Sequence, residues 1–244
     1  MTGTPRASTG IEIGHHITRD IGGFIFNVDT IWATALAGLV LVGAGVYLRR
    51  RATAGVPSGL QLFFETVTQA VERQVESTMG LRTAPWVVPL AVTLFSFILI
   101  ANWLALIPSG HSPEYLAPPT SDVNLAYALA LLVIVSVHAT GIRKQGFRNA
   151  YKHLAQPYWW LFPINLIEEL ARPITLSLRL FGNIFSGVIM VSLIALFPAA
   201  ILWAPNVGWK LFDMFIGLIQ AFIFALLTIL YFSFATAHAD EGGH

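Results

Sequence analysis

The chain has 244 residues, 55% of them hydrophobic and only 11% charged. Soluble domains carry about 25% charged residues, so the polar surface that a water-soluble fold needs is missing. A net charge of +1 gives no electrostatic ground for a nucleic-acid partner, and the absence of cysteine excludes disulfides, thiolate chemistry and cysteine metal sites.

The first elements are read from charge and apolar runs. Met1 to Asp20 is polar and mixed, without the apolar core of a cleaved signal peptide, so residues 1–28 are expected to form an outer aqueous tail. Five stretches then lack Asp, Glu, Lys and Arg: Thr30–Leu48, Thr83–Pro113, Val123–Ile142, Leu180–Trp209 and Met214–Ala239. A membrane-crossing helix needs roughly 20 mostly apolar residues, and each stretch is close to that or longer. These runs predict crossing helices over 30–48, 85–107 and 122–142.

Between the first two crossings, Leu60, Phe63, Phe64, Val67, Val71 and Val75 recur at helical spacing. Gln61, Glu65, Thr68, Gln69, Glu72, Arg73 and Glu76 occupy the remaining surface. The pattern predicts an amphipathic helix over 57–79 along the cytoplasmic interface. Its acidic polar face does not suit anionic lipid, so its apolar side is expected against another subunit or against lipid.

The last two helices, 163–197 and 206–237, are longer than a crossing requires. Pro163–Leu196 and Val207–Ala237 would run about 50 and 46 Å as continuous helices, against a hydrocarbon core of about 30 Å. Such mismatch forces tilting or bending, and Pro173 is a site for a bend. Two long, strongly inclined antiparallel helices are expected, joined by a turn at Pro198–Asn206. The expected fold is therefore one all-α polytopic membrane domain over 1–244, with five crossings and one interfacial helix.

Orientation follows from the basic residues. Arg49, Arg50, Arg51, Arg73 and Arg82 lie between the first two crossings, and Arg143, Lys144, Arg148 and Lys152 follow the third. The loop Pro108–Ser121 has neither Lys nor Arg, and the last outer connection offers only Lys210. This asymmetry places the N-terminus outside and the C-terminus in the cytoplasm.

Arg179, between Leu178 and Leu180, is the most costly residue in the chain. Arginine near a bilayer centre costs about 2.5–3.5 kcal/mol on insertion scales and cannot shed its proton. It must meet water, a carboxylate or another protein, or else snorkel to the interface. Arg172, Thr175, Asn183 and Ser186 share its helix face, and Gly182 and Gly187 would let another backbone come near. Glu168 and Glu169 precede Arg172 at ion-pair spacing. They read either as a structural pair or as water-accessible acids that exchange protons.

On the last helix, Asp213 and Gln220 lie seven apart, with Phe224, Leu227 and Tyr231 continuing roughly the same face. Intramembrane ionisable residues are functional candidates by default, although a hydrated interfacial aspartate is the plainer alternative. Asn102, Asp122 and Asn124 could line a hydrated outer vestibule, or serve helix packing and capping. His138 reads as a hydrogen-bonded packing residue, and Gly38, Gly43 and Gly45 read as helix-packing glycines. There is no HExxH pattern, no glycine-rich phosphate loop and no nucleophile–base pair, so neither a cofactor, a nucleotide site nor enzymatic catalysis by this chain is expected.

With these residues in view, the chain resembles the subunit a family of F-type ATP synthases. The resemblance is carried by PINLIEELARPITLSLRLFGNIFSG (Pro163–Gly187) and IQAFIFALLTILYFS (Ile219–Ser233). NVDT (Asn27–Thr30), GVPSG (Gly55–Gly59), the Asn102 helix ending at Pro108, and SDVN (Ser121–Asn124) support it. The resemblance implies a proton-translocating stator subunit in the inner (cytoplasmic) membrane, partnered by a rotor ring of subunit c and a peripheral stalk of the subunit b type. It implies that Arg179 faces the rotor carboxylate, that Gln220 lies near Arg179, and that Glu168 or Glu169 leads toward the cytoplasm. One departure stands out. Where some bacterial members carry a glutamate nine residues after the arginine and a histidine on the last helix, this chain has Val188 and Asp213. That makes Asp213 the expected outer proton relay. The alternative, a self-contained transporter or channel in which Arg179 binds an anion, finds no internal repeat to support it.

Overall fold

The computed structural model describes residues 18–21, 24–53, 55–81, 84–104, 123–145 and 201–237, with scattered positions between 174 and 198. Five continuous helices organise them: α1 (Val28–Arg51), α2 (Gly59–Met79), α3 (Val87–Leu104), α4 (Val123–Gln145) and α5 (Trp203–Ala237). The described positions from 174 to 194 are also helical. α1, α3 and α5 are each long and apolar enough to cross a membrane, and α4 contains a shorter apolar stretch, Tyr127–Arg143. The helical, polytopic architecture matches the expectation. The expected helix over 163–197 falls mostly outside the described residues.

A short β-hairpin precedes α1. Strands β1 (Thr18–Ile21) and β2 (Phe24–Asn27) pair antiparallel, with Thr18 opposite Asn27 and Ile21 opposite Phe24. The hairpin lies within residues 1–28, which are expected from sequence to form a tail. The missed signal is a β-prone FIFN run set two residues after TRDI by Gly22-Gly23, a pair suited to tight hairpin turns.

α1 ends on Arg49, Arg50 and Arg51, cations that suit the negative end of a helix dipole. It packs on α3 through a narrow side that buries Thr30, Ala33 and Ala37, while Trp32, Leu39 and Val42 stay exposed. Small side chains rather than the glycines make this contact: no described atom lies within 4 Å of a Cβ built on Gly38, Gly43 or Gly45.

α2 is fixed at both ends. The Ser58 hydroxyl accepts from the Gln61 amide at 3.3 Å, closing the first turn. Gly80, with φ of 75°, ends the helix by donating to the Val75 and Glu76 carbonyls at 3.1 and 3.3 Å. A side chain rarely adopts that backbone conformation, and glycine adopts it freely.

The expected apolar stripe of α2 is divided. Val71 and Val75 are buried against α3 and α5, whereas Leu60, Leu62 and Phe63 remain exposed. Gln61, expected on the polar surface, is instead buried because its amide is fully used. Its Nε2 donates to the Thr53 carbonyl at 2.9 Å and to the Glu65 carboxylate at 2.7 Å, and its Oε1 accepts from the Thr53 amide at 3.3 Å.

α3 and α5 form the centre of the fold and run antiparallel. At one end Trp86, just before α3, meets Phe232 edge-on with ring centroids 4.7 Å apart. At the other end Asn102 and Trp103 meet Gly217 and Met214. Between them Leu94, Phe95, Ile98, Phe224, Ala225 and Ile229 form a continuous apolar core. α2 is tied to the Phe232 end, where the Ser233 hydroxyl donates to the Thr78 carbonyl at 3.2 Å.

α5 starts at Trp203, three residues before the expected start at 206, and the preceding turn is correspondingly tighter. The Ile201 and Leu202 amides both bond the Pro198 carbonyl, at 2.9 and 3.1 Å. Pro205 falls in the first turn of α5, where an amide has no intrahelical acceptor, so its missing N–H costs no helical bond. At 35 residues α5 is about 52 Å long, well beyond the hydrocarbon thickness of about 30 Å.

Candidate functional site

One face of α5 carries Asp213 and Gln220. Asp213, Gly217, Gln220, Phe224 and Tyr231 follow one another at three-, four- and seven-residue steps and share that side of the helix. Asp213 is half-buried near the Trp203 end of α5, and Gln220 is two turns deeper at 5% exposure. The Gln220 Nε2 is buried and has no hydrogen-bond partner among the described residues. A buried amide donor without a partner costs on the order of 1–3 kcal/mol. Packing alone gives no reason to keep a glutamine there.

Asn102 reaches this face from α3, between Asp213 and Gln220. Its Nδ2 donates to the Gly217 carbonyl at 3.1 Å, and the neighbouring Trp103 Nε1 donates to the Met214 carbonyl at 3.3 Å. The structure therefore brings Asn102, Asp213 and Gln220 onto one inter-helix seam. This bond across the seam fits the packing reading of Asn102 and leaves the vestibule reading open. Gly217 and Trp103 belong to the same seam and were not singled out from the sequence. The available signal was a lone glycine inside an apolar helix, which often marks a close helix contact.

The other candidates are placed differently. Asn124 is exposed in the first turn of α4. His138 lies on α4 with its Nδ1 2.9 Å from the Ile134 carbonyl, which makes that nitrogen the protonated one and fits a packing histidine. Arg179, Glu168, Glu169, Asn183 and Asp122 lie outside the described residues. Around Arg179 in the sequence, Leu178 and Gly182 are helical and exposed, and no described atom approaches within 4 Å of a Cβ built on Gly182 or Gly187. Among the described residues, no three His, Asp or Glu side chains gather into a metal-binding group.

Comparison with known proteins extends across the chain. The ATP synthase A chain family matches residues 30–233. The chain is 54% identical over 234 residues to ATP synthase subunit a of Acidothermus cellulolyticus, covering 96% of this chain and 85% of that protein. It is 53% identical over 239 residues to ATP synthase subunit a of Mycobacterium tuberculosis, covering 95% and 96% of the two chains. Identity to the subunit a of Vibrio cholerae is 35% over 233 residues, covering 88% and 85%. With its apolar helices and a match that contains α3 and most of α5, this membrane protein belongs to the ATP synthase A chain family.

Proposed function

We propose that this chain is the stationary half of a rotary proton path, with two aqueous half-channels that end at different depths beside a rotor ring. A proton enters from outside past Asp213 and neutralises a carboxylate on the ring. The neutral group can then travel through lipid, where an ionised carboxylate would be very costly. On return to the stator it meets Arg179, whose fixed positive charge favours the ionised form and releases the proton toward Glu168 and Glu169. The same charge repels a proton from passing directly between the half-channels. Each proton crossing gains about 2.3 kcal/mol per 100 mV of membrane potential. ATP is made elsewhere in the complex, and this chain supplies the proton path.

The observation that carries this reading is Gln220: a buried amide whose donor has no partner among the described residues, on the same helix face as Asp213 and at a greater depth. Such a donor suits a polar path that is completed by groups beyond the described seam. No described atom lies within 4 Å of a Cβ built on Gly182 or Gly187, which supports a partner passing close to this stretch of chain. A ring of subunit c hairpins is that partner in this reading, and a stalk of the subunit b type holds the stator still. The basic residues Arg49–Arg51 and Arg143 support an N-terminus outside and a C-terminus in the cytoplasm.

Reconstitution tests the proposal directly. Liposomes carrying this chain alone should show no potential-driven proton uptake above protein-free liposomes. Liposomes carrying it with the rotor ring and stalk should take up protons. Equal uptake by the chain alone would make it a self-contained channel and overturn the proposal.

A further inference from the structure

Two side chains of α3 donate to the backbone of α5 within one turn of Asp213. Asn102 Nδ2 reaches the Gly217 carbonyl at 3.1 Å and Trp103 Nε1 reaches the Met214 carbonyl at 3.3 Å. Met214 is the residue after Asp213, and Gly217 lies four residues on, on the same face.

Carbonyls inside a helix already accept an amide and have a second lone pair to offer. Bonds to them fix the height and rotation of that turn whatever its side chains are. The approach is close because residue 217 is glycine: a Cβ there would stand 3.0 Å from the Asn102 Cβ and 3.4 Å from its Nδ2. Side-chain bonds between apolar helices persist because lipid offers no competing partner. Trp103 is itself 40% exposed, so its ring is not there merely to fill the core.

We infer that Asn102 and Trp103 are positioning residues, a two-point clasp that sets the rotation of α5 and so the place of the Asp213 carboxylate. The inference rests on the reading of Asp213 as the outer proton relay. Neither side chain needs to touch the proton. Each acts through the backbone that carries Asp213, and a small displacement of a relay group can cost as much as about a hundredfold in rate.

The chain contains no cysteine, so a single cysteine reports its own surroundings cleanly. Asp213→Cys would be labelled from the outer side with a membrane-impermeant thiol reagent, in membranes holding the assembled complex. The same measurement would be made in the Asn102→Leu and Trp103→Phe backgrounds, which keep bulk and lose the donor. Ser233→Ala serves as the comparison, since it loosens the opposite end of α5.

The clasp predicts that labelling at position 213 changes by about threefold or more in the two donor-less backgrounds, with complex assembly unchanged, and stays at the wild-type rate with Ser233→Ala. With Asp213 intact, proton flux should fall by about tenfold in Asn102→Leu and Trp103→Phe and stay normal in Ser233→Ala. Unchanged labelling would overturn the clasp, whatever happens to flux. Changed labelling with normal flux would overturn the positioning role. Asp213→Asn separates the two readings: normal flux in that variant would remove Asp213 as the relay, while the labelling result would still decide whether the clasp exists.

Discussion

Asn102 and Gly217 are 115 positions apart in sequence, yet the amide of one bonds the backbone carbonyl of the other at 3.1 Å. The contact depends on a missing side chain. A methyl group on residue 217 would stand 3.0 Å from the Asn102 Cβ, closer than ordinary carbon contacts allow.

Gly217→Ala should therefore push α3 and α5 apart. Overpacking of this kind costs about 1–3 kcal/mol, offset in part by the better helix propensity of alanine. Thermal unfolding of the detergent-solubilised complex should show this chain released at a lower temperature than wild type. An unchanged or raised midpoint would mean that the seam has room to spare.

Gln220 separates stability from function. Its Nε2 lacks a partner among the described residues, so Gln220→Leu removes a polar burden of about 1 kcal/mol or more while roughly keeping volume. The variant should assemble and unfold at or above the wild-type temperature, yet carry protons at a clearly reduced rate. Reduced flux without loss of stability is expected of a functional group held at some cost to the fold. A less stable variant with normal flux would assign Gln220 to packing instead.

Gln61 anchors the chain segment that enters α2. Its amide is shared between both backbone groups of Thr53 and the Glu65 carboxylate. Gln61→Ala should cost about 1 kcal/mol locally and speed amide exchange at Thr53 by several-fold, on the order of what one lost hydrogen bond allows. Exchange in the middle of α3, around Leu94 and Ile98, should not change. Equal protection of Thr53 in both proteins would show that the segment is held by other contacts.

Charge and hydropathy were enough to expect membrane-crossing helices, because lipid leaves the chain few ways to satisfy its backbone. α5 begins at Trp203, inside the turn expected over Pro198–Asn206, because Pro205 in the first turn of a helix interrupts no helical bond. The division of the α2 stripe was hidden for another reason. Leu60 and Val75 look equivalent on a helical wheel, and only the neighbouring α3 and α5 decide that one is exposed and the other buried. Asp213, Gln220 and Asn102 could be singled out as polar residues in apolar runs. That Asn102 meets α5 between the other two depends on antiparallel pairing of helices distant in sequence. The seam therefore emerges only in three dimensions.

In the proposed path, the fixed cation at Arg179 keeps the outer entry and the inner release half-channels apart. Acidification of inverted membrane vesicles driven by ATP hydrolysis, with Arg179→Ala compared against wild type, tests it most directly. Vesicles with the variant should assemble the complex and hydrolyse ATP, but build no proton gradient. A gradient of wild-type size from the variant would contradict the role assigned to that arginine.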